Sequence, residues 1–132
     1  MKIACIATSQ IPSSTANSIQ VMKVCHAQAQ IGHDVRLWVP GTSNISWTTL
    51  RVHYGLTHEF NIQWLPSQQI LKRYDLAINA VNQAAGWKAD LIYTWLPQVA
   101  VLAYLRKTPA ILEMHDLPTG RMGPHLFRQF VR

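Results

Sequence analysis

Apolar residues in this chain alternate between short continuous runs and stretches at helical spacing, and that alternation predicts the elements. Lys2–Thr8, KIACIAT, is almost unbroken in apolar and small residues, as in a strand buried on both faces. Ser9–Ser14 is polar and holds Pro12, which forbids an early helix. Thr15–Ile31 then brings Val21, Val24, Cys25 and Ala29 close to one stripe, and Gly32 supplies the stop. Asp34–Val39 is a second strand, closed by Pro40-Gly41. In Thr42–His58 the apolar residues Trp47, Leu50, Val52 and Tyr54 settle no single period, and Gly55 interrupts them. A loop with a short helix is expected there. Asn61–Leu65 is a third strand, ended by Pro66.

Ser67 is expected to cap a helix at Gln68–Ala85, with Ile70, Tyr74, Ala77, Val81 and Ala84 facing inward. Gly86 ends it, and Trp87 makes the apolar contact that often follows such a stop. Asp90–Thr94 is a fourth strand. Pro97 opens a short helix through Arg106, with Val101, Leu102 and Leu105 as its buried side. Pro109–Met114 reads as a buried fifth strand that delivers His115 and Asp116 to its carboxyl end before Pro118 and Gly120 break the chain. Gly123-Pro124 starts a last helix whose Leu126, Phe127 and Phe130 have no visible partner before Arg132.

This alternation describes an α/β, doubly wound, five-stranded parallel sheet of Rossmann-like type, with expected order 3-2-1-4-5. Its switch point lies between the first and fourth strands. Ser9–Ser18 and Thr94–Gln98 would flank one crevice there, with His115 a strand further along. Ligands of open α/β sheets sit at this carboxyl end.

Composition narrows the possibilities. A chain of 132 residues with 48% hydrophobic and 14% charged residues fits one domain with a genuine core rather than a disordered segment. No window reaches the ~18 apolar residues of a membrane span. MKIACIAT is too short for a secretory segment, so a cytoplasmic location is expected. Cys5 and Cys25 lie on apolar segments and read as packed small hydrophobes. The net charge of +6 suits an anionic partner such as phosphate or an acidic membrane surface. Its basic residues are scattered, with only Lys72-Arg73 and Arg106-Lys107 adjacent, and no nucleic-acid motif accompanies them. Nucleic acid is not an expected partner.

Several chemistries lose support. G-x-G-x-x-G is absent, since Ser9–Ser18 holds no glycine, which removes the dinucleotide fingerprint. The histidines never form H-x-x-H or H-x₃-H spacing, so no metal is expected, and neither a P-loop nor a G-x-S-x-G elbow occurs. What remains is His115-Asp116, with Glu113 two residues earlier on the same side of the strand and Arg121 in the following loop Thr119–Gly123. A polar strand terminus that merely caps a loop is the bland alternative. Ser9, Gln10, Ser13, Ser14, Thr15, Asn17 and Ser18 ring a helix N-terminus, which serves either as ordinary capping or as an anion or sugar site. Trp95 at the fourth strand's end could stack on a sugar or line an interface, whereas Tyr93 reads as core.

Taken in succession, KIACIATSQIPSSTANSIQVMKVCHAQAQIGHDVRLWVP, HYGL at His53–Leu56, ADLIYTW at Ala89–Trp95 and ILEMHDLPTGRMGP at Ile111–Pro124 resemble one family. They are similar to the N-terminal, acceptor-side domain of family-4 retaining glycosyltransferases of the two-domain GT-B fold. The resemblance implies sugar transfer from a nucleotide-sugar to a glycan or lipid-linked acceptor at the inner membrane face. It implies His115 as the catalytic-site histidine that projects toward the transferred sugar. Ser9, Gln10, Ser14, Thr15, Asn17, Trp95, Glu113, Asp116 and Arg121 are the expected substrate-binding residues. No cofactor is implied, because the nucleotide-sugar is a co-substrate held mainly by a C-terminal donor domain. That domain's E-x₇-E motif is absent, as Glu59 and Glu113 are the only glutamates, so the 132 residues read as a fragment or half of a split enzyme, inactive alone. SSTANS replaces the family's Gly-Gly pair in the first loop. A non-catalytic α/β module binding a sugar or anion is the alternative. A receiver-type domain is disfavoured, since Thr8-Ser9 and Leu65-Pro66 supply no acidic cluster.

Overall fold

The computed structural model describes residues 1–42, 44–71, 73–116 and 120–131. Expectations that rest on Lys72, on Pro118 as a chain break, on Thr119 as the start of a loop and on Arg132 lie outside the described residues. Strands β1 (Lys2–Ile6), β2 (Asp34–Pro40), β3 (Asn61–Leu65), β4 (Leu91–Thr94) and β5 (Ala110–Leu112) form one parallel sheet of order β3-β2-β1-β4-β5. Helices α1 (Ala16–Gln30) and α2 (Trp47–Tyr54) cover one face. Helices α3 (Tyr74–Gly86) and α4 (Pro97–Leu105) cover the other, and α5 (Gly123–Phe130) packs against α4.

Strict alternation divides β1 between two cores. Ile3 and Cys5 join Val21, Met22, Cys25, Val35 and Leu37 under α1, while Ala4 and Ile6 join Trp38, Ala80, Val81 and Ile92 under α3. A strand buried on both faces has no polar side to offer, which is why its sequence reads as a continuous apolar run. At the switch point Thr94 is fully buried, and its Oγ1 donates to the Ile6 carbonyl at 2.9 Å and accepts from the Leu96 N–H at 3.1 Å. This hydroxyl ties β1 to β4 where their backbones begin to part.

Several local expectations need correction. The helix start foreseen at Gln68 is a separate 3-10 turn, Gln69–Leu71, and α3 begins at Tyr74. Ser67 does not cap it; its hydroxyl and the Gln68 N–H both donate to the Asp75 carboxylate, and Ile70 is 85% exposed. Those bonds hold the Asp75 carboxyl below its usual range, the Gln68 N–H contributing most. On α1 the buried stripe is Val21, Met22, Cys25 and His26, with Val24 only half-buried. On α4 the buried side is Val99, Ala100 and Ala103, whereas Leu105 is 68% exposed and Val101 and Leu102 are half-buried. The small side chains turn inward there, letting α4 lie close to the sheet.

The fifth strand is not buried. Paired on one side only, β5 spans three residues, with Ile111 exposed. The apolar side of α5 does find a partner, because α4 covers it and leaves Leu126, Phe127 and Phe130 half-buried. The irregular segment after β2 contains α2, capped by Ser46 at its start and by Gly55 in left-handed conformation (φ 63°) at its end. Both cysteines are buried and free, and burial pushes the Cys25 thiol up, with the Cys5 thiol beside it adding to the shift.

Candidate functional site

Parallel pairing sets the site's geometry. Tyr93 pairs in register with Ile111, so Glu113 and His115 continue on the Tyr93 side of the sheet, the side α1 covers. The Glu113 N–H still donates to the Thr94 carbonyl at 2.9 Å, which carries the ladder one residue past β5 and fixes the glutamate. Four side chains from three elements then meet. The Tyr93 hydroxyl donates to Glu113 Oε2 at 2.6 Å, and Gln20 Nε2, from α1, donates to Glu113 Oε1 at 2.5 Å. The same Gln20 amide lies 2.9 Å from His115 Nε2, which itself lies 3.1 Å from Glu113 Oε1.

The proton count on this cluster is informative. His115 Nε2 lies between the Gln20 amide and Glu113 Oε1, so a bare nitrogen accepts from Gln20 and a protonated one donates to Glu113. With Nε2 engaged on both sides, the ring presents its Nδ1 edge to the crevice. Tyr93 stays a hydroxyl donor, because burial and then the Glu113 carboxylate push its pKa well up. Glu113 is largely covered at 22% side-chain exposure, whereas His115 is 61% exposed. The arrangement is a buried brace carrying an accessible imidazole.

Around it lies a crevice of about 590 Å³ at the carboxyl ends of β4 and β5. Its lining includes Asn17, Trp95, Glu113, His115, Asp116 and Arg121, six of the residues expected in the site, together with Tyr74 and Leu126. The α1 and α4 N-termini converge here and add the positive ends of their dipoles. Trp95 packs at 5.1 Å from Tyr93, and its Nε1–H is buried with no partner among the described residues. The Ser9 hydroxyl, next in the chain to Thr8 of the lining, is likewise buried and unpartnered among the described residues. Unpaired polar atoms are costly to bury, and a bound ligand or water would satisfy them.

Four expected residues do not line the crevice. Ser9 is buried, and Gln10 and Ser14 are exposed on the loop. Thr15 is the N-cap of α1, accepting from the Ser18 N–H and sharing a hydrogen bond with Ser13. Gln20 was missed altogether. It lies one turn beyond Asn17, and that i, i+3 spacing from a crevice residue was the available signal.

No protein-family model matches the chain, and no curated protein matches it in sequence. Among solved structures it is similar to MurG of Acinetobacter baumannii, a GT-B glycosyltransferase, with a TM-score of 0.63 at 13% identity. The match covers 96% of this chain and 38% of that one, so these residues span well under half of MurG's length. The fold is therefore the Rossmann-like α/β half found in a GT-B glycosyltransferase.

Proposed function

We propose that this chain forms the acceptor-side lobe of a retaining glycosyltransferase that moves a sugar from a nucleotide-sugar to a glycan or lipid-linked acceptor. The observation that carries the reading is His115, exposed at the carboxyl end of the fifth strand and braced by Gln20 and Glu113, in a fold shared with MurG. In the transfer, positive charge develops on the sugar while the phosphate leaves. An imidazole held at Nε2 by Gln20 and Glu113 turns its Nδ1 edge toward a sugar hydroxyl and fixes that geometry by a hydrogen bond. Asp116 and Arg121 supply further polar contacts along the lining, and Trp95 a face for the sugar ring.

The nucleotide-sugar belongs mainly to a second lobe, in cis or on a separate chain, since catalysis needs both substrates in near-attack geometry. Exposed Ile70, Leu71 and Met122 beside Arg73 and Arg121 suit contact with an anionic membrane surface at the inner face. No helix among the described residues is long and apolar enough to cross a membrane. A non-catalytic binding module is the second reading. It is favoured by the first loop, whose Ser13, Thr15 and Ser18 hydroxyls are already bonded within the loop or to Tyr54. Sugar transfer by the gene product that carries these residues, followed by product mass, separates the two. Saturable sugar binding with no transfer in the presence of a donor lobe would establish the module instead.

A further inference from the structure

At the opposite edge of the sheet, the two turns of α2 are too short to cover the amino ends of β2 and β3. A cavity of about 500 Å³ opens there, within the size of small-molecule sites. Three aromatic side chains stand in an otherwise largely polar lining. Trp47 stands edge-on to Phe60 at 5.4 Å, and Trp64 is pinned by donating its Nε1–H to the Ile11 carbonyl at 3.0 Å. Gly41, beside the Trp64 ring, holds φ 130°, a backbone conformation that favours glycine, and a Cβ there would meet the ring at ordinary contact distance, 3.4 Å.

The charge of this cavity is the reverse of the molecule's. The chain carries +6, yet two of its six acidic residues, Asp34 and Glu59, line the cavity, and the basic side chains there are limited to His33, with no lysine or arginine. Among the described residues neither carboxylate has a hydrogen-bond or ion-pair partner, and both residues are exposed. Unpaired carboxylates beside aromatic faces complement a cation, which gains Coulomb attraction from the first and quadrupole attraction from the second. A neutral sugar would use the aromatic faces but not the charge.

We infer that this cavity binds a small organic cation of the alkylammonium type, with Asp34 and Glu59 pairing its charge and Trp47 and Trp64 contacting its carbon chain. The site is independent of the crevice at His115. The test uses putrescine, its uncharged isostere 1,4-butanediol, and methyl glucoside as probes. The readout is the indole N–H resonances of Trp47 and Trp64 at physiological salt. Putrescine is expected to shift both signals saturably with one-site stoichiometry, while the diol and the glucoside leave them unmoved. Asp34→Asn with Glu59→Gln is expected to weaken the putrescine response about tenfold, as removal of two charge-assisted contacts would. The unchanged melting temperature of that variant would show that the fold is intact. No saturable shift, an equal response to the diol or the glucoside, or full binding by the charge-removed variant would each overturn the assignment.

Discussion

The centre of the sheet and its β5 edge are built on opposite plans. In β1 and β2, Cys5, Ile6, Leu37 and Val39 have no solvent exposure, and both faces are covered by helices. At β5 three residues pair on one side only, and the imidazole that follows is mostly in water. Each fully buried Leu, Ile or Val contributes ~1.5–3 kcal/mol, so stability is concentrated in the centre. The edge adds little to it and is free to carry polar chemistry. Stability and ligand recognition should therefore respond to different mutations.

The largest effect belongs to the centre. Trp38 is buried among Ala80, Ala84 and Trp87, and its Nε1–H donates to Gln83 at 2.9 Å. Trp38→Ala is expected to cost ~3–5 kcal/mol in urea unfolding. A loss below about 1 kcal/mol would mean that the centre is not the anchor. Next comes the junction. Thr94→Val removes the hydroxyl that serves Ile6 and Leu96, and the buried groups left behind should cost ~1–3 kcal/mol. If equilibrium unfolding gave no loss, the tie between β1 and β4 would be immaterial.

A subtler effect lies on the α1 flank. His26 Nε2 accepts from the Thr57 and His58 N–H groups, at 3.0 and 3.2 Å. Burial, then the neighbouring His58 and Lys23, hold its pKa below the usual 6.5. Above 6.5 the ring is neutral in both folded and unfolded chains, and its contribution to stability is complete. As pH falls below 6.5 the unfolded chain takes up the proton first, so stability declines until the folded pKa is passed. His26→Gln should flatten that part of the stability–pH curve. An unchanged slope would assign the decline to other groups. The smallest effect is at the outer edge, where Leu105→Ser should move the unfolding free energy by no more than about 0.5 kcal/mol.

The same contrast explains what could be read from the chain. Strand order followed from where apolar runs and helical stretches alternate, and β1 and β2 were legible because burial on both faces leaves no polar position. Helix faces were harder. In α4 nearly every residue is apolar, so no period selects a side, and close approach to the sheet chose Val99, Ala100 and Ala103 over Leu105. In α2 the exposed Val52 obscured the spacing of Trp47, Leu50 and Tyr54. Same-side placement on the strand foresaw the Glu113–His115 contact. Gln20 was not visible, because an amide on a helix acquires a role only when a neighbouring strand end reaches it.

The most direct test is to measure sugar transfer and unfolding together in His115→Ala and His115→Asn, within the gene product that carries this chain. Losing one positioned polar contact commonly costs ~2–4 kcal/mol at the transition state. At ~1.4 kcal/mol per tenfold, kcat should fall roughly thirty- to several-hundred-fold in His115→Ala. The melting temperature should stay nearly unchanged, because the ring is exposed and lies outside both cores. His115→Asn should recover part of the rate if the imidazole acts by donating a hydrogen bond. Near-normal kcat in His115→Ala, or lost stability with activity per folded molecule retained, would contradict the assignment of this edge to catalysis.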